Sequence, residues 1–253
     1  MKVRFPRVLS IAALALILTA GCYSSSSSAA NTFDDGWIVL FNGEDLNGWT
    51  PKFSGEELGV NYKNTFRVRE GVLVVSYEDY DSFDNKFGHL FYEHEHDHYI
   101  LELEYRFVGE QVTGGPGWAF RNNGVMIHGQ SPASMRIDQD FPVSIEVQML
   151  GAPEVGDGER TTGNLCTPGT NVVYKGKLDL HHCINAESET YRGDQWVKLR
   201  IEVNGSESIR HFINGDEVMH YTQPQLDERD ADAKAIIDRR GGEYMLNTGT
   251  ISL

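Results

Sequence analysis

Between Val143 and Met149 apolar and polar residues alternate, so Ser144, Glu146 and Gln148 share one face of the extended segment that the pattern predicts. Val143, Ile145, Val147 and Met149 form the other, apolar face. Three polar groups spaced two apart either face solvent or line a cleft, where a carboxyl can move a proton and an amide can hold an oxygen. Upstream, the run from Trp118 to His128 gathers an aromatic, Arg121, the amides Asn122 and Asn123, and an imidazole in and around one strand. Aromatic planes stack on the C–H faces of sugars and forked donors match neighbouring hydroxyls, so this mixture suits a carbohydrate groove. Taken singly, each of these residues also has an ordinary structural use.

A second candidate is Phe91-Tyr92-Glu93-His94-Glu95-His96-Asp97-His98. On a strand, His94, His96 and His98 would share a face and could hold a divalent metal. The preferred reading is a solvated, acidic and His-rich turn between strands. No GxSxG, HExxH or phosphate-binding glycine loop occurs, so serine hydrolase, zincin and nucleotide chemistries lack support.

Residues 1–21 read as a secretory leader: Lys2, Arg4 and Arg7 precede an apolar run from Leu9 to Leu18 that is too short to span a bilayer as a mature helix. Thr19-Ala20-Gly21-Cys22 resembles a bacterial lipobox, which makes Cys22 the expected lipidation site and mature N-terminus. The expected location is the bacterial cell envelope, periplasmic or surface, with the lipid as the sole membrane attachment. Residues 22–32, with five consecutive serines, read as a flexible tether. The folded domain is expected over 33–253.

The whole chain has 22 basic and 37 acidic residues, net −15; the leader holds three of the bases and no acids, so its removal gives −18. Such a surface repels phosphate backbones and excludes a nucleic-acid partner. In an oxidising compartment the remaining cysteines, Cys166 and Cys183, are expected to pair, closing a loop worth on the order of 3 kcal/mol. A metal site from Cys166, His181, His182 and Cys183 is the weaker alternative, because adjacent ligands strain a tetrahedron and no CxxC pair is present.

The elements that must position these groups are strands. Tyr99–Phe107 and Val197–Val203 alternate with period two, and Glu70-Gly71, Asn204-Gly205 and Asn214-Gly215 supply hairpin turns. The best helix candidate, Asp230 to Arg239, is short and mostly charged. Many short two-faced strands predict an all-β, antiparallel sandwich.

Leu40-Phe41-Asn42-Gly43-Glu44-Asp45-Leu46-Asn47-Gly48-Trp49 resembles the opening signature of the 3-keto-disaccharide hydrolase domain family. The Phe66–Val75 hairpin, Arg121-Asn122-Asn123-Gly124-Val125 and Ile145-Glu146-Val147-Gln148-Met149-Leu150 resemble later landmarks, and the resemblance runs from about 37 to 253. It implies a concanavalin A-like jelly roll, similar to family 16 glycoside hydrolases, and cleavage of 3-keto-glycosides. Family members continue past Gly-x-Ile-x-Leu into a final strand. This sequence stops at Gly249-Thr250-Ile251-Ser252-Leu253, so either it is shortened or the sandwich lacks its last strand.

A ketone at C3 acidifies the C2 proton, so one base can start elimination of the C1 substituent, with water adding afterwards. Family 16 enzymes instead carry Glu-x-Asp-x-x-Glu; here Gln148 replaces the Asp and Gly151 the second Glu, which argues against a retaining glucanase. On the resemblance, Glu146 is expected to be the general base or a metal ligand, and His128 its acid/base partner. Arg121, Asn123, Gln148 and Trp118 are expected to bind substrate. A divalent metal stays open. The rival reading is a non-catalytic, lectin-like carbohydrate-binding module, and a third is a scaffolding domain.

Overall fold

The computed structural model describes residues 1–5 and 36–253. Cys22 and the segment read as a serine tether lie outside the described residues, as does most of the segment read as a leader. In chain order the strands begin with β1 (Lys2–Arg4), β2 (Trp37–Val39), β3 (Trp49–Phe53), β4 (Phe66–Arg69), β5 (Val72–Val75), β6 (Gly88–His96), β7 (His98–Tyr105), β8 (Asn122–Gly129) and β9 (Ile145–Leu150). They continue with β10 (Asn164–Cys166), β11 (Thr170–Tyr174), β12 (Lys177–Asp179), β13 (Cys183–Ile184), β14 (Val197–Asn204), β15 (Ser208–Ile213), β16 (Asp216–Leu226) and β17 (Gly249–Ser252). One helix, α1 (Ala231–Arg239), precedes β17.

Two antiparallel sheets face each other, in the orders β12-β11-β16-β15-β14-β7-β1-β2 and β13-β10-β9-β8-β17-β6-β3, with β4–β5 as a separate hairpin. The predicted sandwich is therefore present. In the first sheet, Leu101 stands opposite Ile201 and Leu103 opposite Leu199. In the second, Val125 faces Val147 and Ile127 faces Ile145. These side chains meet in one core with Leu165, Ile209 and Ile251, because each strand turns every second residue inward.

The helix contributes more than its charge suggests. Asp230 caps it by accepting from the Ala233 backbone N–H at 2.8 Å. Ala233, Ile236 and Ile237 then pack with Val143, Leu226 and Leu246 in a second small core. That core holds Val143, the residue from which the chain enters the Ser144–Glu146–Gln148 stripe.

The expected His-rich turn is largely strand: β6 runs through His94 and His96, and Asp97 alone separates it from β7, which begins at His98. The core-facing side of β6 extends the strand to its end, where the His96 ring stacks on Tyr92 at 5.8 Å. Lys2–Arg4, in the segment read as a leader, pair with both β2 and β7.

Candidate active site on the outer face of the second sheet

Strand β9 buries Ile145, Val147 and Met149 and turns Glu146 and Gln148 to the sheet face away from the core. Register sets their neighbours. Glu146 lies between Met126 of β8 and Cys166 of β10, and Gln148 between Gly124 and Asn164. The Glu146 row continues through Ser252 of β17, which stands opposite both Met126 and Phe91.

Gly124 makes room for the acid. A Cβ built there would lie 2.6 Å from Cγ and 2.9 Å from Cδ of Glu146, so the carboxyl rests over bare backbone. The carboxyl has no hydrogen-bond or ion-pair partner among the described residues, and burial alone pushes its pKa up to about 7. A carboxyl poised near neutrality can both accept and return a proton. No neighbouring charge among the described residues contributes to the shift.

Gln148 is oriented from below. Asn164, 2 % exposed, donates from Nδ2 to the Gln148 side-chain oxygen at 3.1 Å and accepts at Oδ1 from Thr161 and from the Ala186 backbone N–H, each at 2.8 Å. With its oxygen engaged, Gln148 presents its NH₂ as a donor. Cys166 and Cys183 form the expected disulfide across directly paired residues of β10 and β13, beside Glu146 on the same face. Ser144, by contrast, is fully buried, its Oγ donating to the Pro142 carbonyl at 3.0 Å. It anchors the strand and offers nothing to a ligand.

The segment between β8 and β9 folds across the same face. The Lys52 ammonium donates to the Ile137 carbonyl at 3.0 Å, and His89 Nε2 donates to that of Asp140 at 2.8 Å. This brings Phe141 against Phe87 at 4.9 Å, and Phe87 stacks on Trp118 at 5.9 Å with planes 8° apart. Trp118 is 57 % exposed and stands on the turn entering β8, where its carbonyl accepts from Asn122 Nδ2 at 3.1 Å. An exposed indole held flat by a second ring is a stacking platform for a sugar.

Three expected site residues are placed elsewhere. His128 sits at a bulge with φ +49°, where β8 gains a residue against β17. Its Nε2 donates to the Gly205 carbonyl at 3.0 Å, in the β14–β15 turn of the other sheet, and burial lowers its pKa to about 4. It is a neutral, buried tie between the sheets, and Met126 takes the place beside Glu146. Arg121, with φ +43°, spends its guanidinium on the Gly193 carbonyl at 2.7 Å and Asp194 at 2.9 Å. Asn123 shares the inward register of Met149 and bonds the Gly124 backbone N–H at 2.7 Å.

A cleft of about 1220 Å³ opens beside β7 and the β4–β5 hairpin; it takes in Arg121 and Asn123 but not Glu146. Several charges on its walls are already engaged, as in Lys198 with Glu104 at 3.4 Å and the Arg106 guanidinium 4.8 Å over Trp196. Size and chemistry therefore point to different places, and the unpaired, perturbed carboxyl is the better guide to reactivity. Among the described residues, no three His, Cys, Asp or Glu side chains stand close enough together to hold a metal ion.

The sequence patterns do not mark Gly124 as clearance, Asn164 as support, or Phe87 and Phe141 as the backing of Trp118. Each depends on partners distant in the chain, and only the Asn-Gly step at Asn123-Gly124 carried a local signal.

The chain is similar, over 84 % of both lengths, to a solved structure from Parabacteroides distasonis provisionally named a glycosyl hydrolase, with 17 % sequence identity and a TM-score of 0.44. No curated protein matches it. The family model described as the 3-keto-alpha-glucoside-1,2-lyase-like domain matches residues 36–253, and the chain belongs to that family.

Proposed function

We propose that this protein cleaves 3-keto-glycosides by elimination across C1–C2, with Glu146 as the base. The observation that carries the reading is the single Glu146 carboxyl, unpaired and with its pKa near 7. Family membership supports a glycosidase-like role. A retaining glycosidase needs two carboxyls about 5–5.5 Å apart, and an inverting one needs them about 6.5–9.5 Å apart. Among the described residues no charged neighbour perturbs Glu146 as a carboxyl at the retaining distance would.

In this mechanism Glu146 removes the C2 proton, whose C–H electrons form the C1–C2 double bond as the C1–O bond breaks. The Gln148 NH₂ holds the C3 oxygen, on which negative charge gathers. The proton collected by Glu146 is available to the departing oxygen when both lie on one face of the ring. Water then adds across the double bond, its oxygen to C1 and a proton to C2. Trp118 stacks on a sugar ring at the rim. His128, Arg121 and Asn123 act as framework.

Incubation with a 3-keto-glucoside and with the parent glucoside in D₂O tests the reading. Release of aglycone from the ketone alone, with deuterium at C2 of the sugar product at early times, is expected. Cleavage of the parent glucoside at a similar rate, or product without deuterium, contradicts it.

The exposed Trp118 platform favours one second reading, a lectin-like module; saturable binding of unoxidised glycans that leaves them and their 3-keto forms intact would select it. The leader and the lipobox-like Cys22 further support export and lipid anchoring, which belong to the same proposal.

A further inference from the structure

Strand β1 occupies a slot that export would empty. Lys2–Arg4 run antiparallel to both β7 and β2, with Val3 opposite Leu101 on one side and Ile38 on the other. Val3 is completely buried in the main core. The Lys2 ammonium lies 3.3 Å from Glu102 and 4.2 Å over the Trp37 ring. Lys2, Val3 and Arg4 belong to the segment read as a cleaved leader.

Removing β1 leaves β7 and β2 separated by one strand position, roughly 10 Å at about 4.8 Å per strand, which is too far for direct pairing. Both strands would then present unpaired backbone donors and acceptors, with a Val-sized hole between them. Past Met1 the slot opens into the 1220 Å³ cleft, along Leu103–Phe107 and the β4–β5 hairpin. A strand longer than β1 has room there. Glu102, the partner of Lys2, lies along β7 at that side, and the processed chain carries net −18 once the three leader bases are gone.

We infer that the β7–β2 slot is an acceptor for an added strand: after processing it takes an extended segment of another polypeptide, a small apolar residue flanked by Lys or Arg, antiparallel to β7. Backbone pairing supplies affinity, the Val3 hole selects a small apolar residue, and Glu102 with the Trp37 ring selects a basic residue beside it. The inference rests on the export part of the proposed function and is independent of the role of Glu146.

The test uses the chain purified after export. Its mass shows whether residues 1–21 have left; an intact leader overturns the inference, because the slot then keeps its own strand. A labelled peptide Met-Lys-Val-Arg-Phe-Pro, titrated by fluorescence anisotropy, is expected to saturate, to weaken with added salt, and to lose at least tenfold in affinity when its Val is replaced by Asp. No saturation, equal binding of the Asp peptide, or a dimer that the peptide does not dissociate overturns the inference. Glu146→Gln is expected to leave peptide binding unchanged, so failure of the catalytic reading registers separately in turnover.

Discussion

The Glu146 carboxyl occupies the space that a side chain at Gly124 would fill, with Cγ 2.6 Å from the Cβ position of the glycine across the β8–β9 pair. The acid is thus enclosed by the strand next to its own, and its proton affinity depends on that fit.

Gly124→Ala tests the fit directly. Gly124 has ordinary extended backbone, so the new methyl acts by displacing the Glu146 side chain. Turnover of a 3-keto-glucoside is expected to fall about tenfold or more, with a stability cost of only about 1–2 kcal/mol by thermal melt. Unchanged turnover would show that the carboxyl position is not used.

Folding stability should report the Glu146 shift. Its pKa is raised in the folded state, so its contribution is fully present below about pH 4.5 and is lost as pH rises through about 7. Glu146→Gln removes that loss and is expected to stabilise the protein by about 2–3 kcal/mol at pH 8 relative to its effect at pH 4. Parallel denaturation curves for both proteins across this range would contradict the half-buried, unpaired carboxyl.

His128, His89 and His211 have the opposite sign, since burial holds each near pKa 4. Their stabilising contribution is present above about 6.5 and lost as pH falls towards 4. His128→Gln is expected to soften this acid limb in urea titrations and to leave the neutral-side pH profile of turnover in place. A change in that profile would return His128 to the chemistry.

The disulfide stands beside Glu146 in the β9–β10 register. Cys166→Ser with Cys183→Ser is expected to cost on the order of 3 kcal/mol. At temperatures where the variant stays folded, the loss should appear as higher KM more than lower kcat, because β13 is a two-residue edge strand whose release loosens the rim. A loss confined to kcat would mean that the bridge sets the acid itself.

Much of this was legible in the chain. The Val143–Met149 alternation placed Glu146 and Gln148 on one face because a strand's period is two, and Cys166 with Cys183 followed from compartment and spacing. His128, expected beside Glu146 on the resemblance, is turned to the other sheet by a bulge that adds a residue to β8. Arg121 likewise stands apart from Glu146: its left-handed backbone accompanies a guanidinium bonded to Gly193 and Asp194. Gly124 and Asn164 matter only through cross-strand register, which no local pattern encodes.

The central claim is that one carboxyl does the proton transfer. Its most direct test is aglycone release from a 3-keto-glucoside by Glu146→Gln against the unaltered protein, across pH 5 to 9. The account predicts a loss of at least a hundredfold in kcat for the variant, and for the unaltered protein a rate that rises with an apparent pKa near 7. Turnover by Glu146→Gln within a few-fold of the unaltered protein, with the same pH dependence, would contradict it.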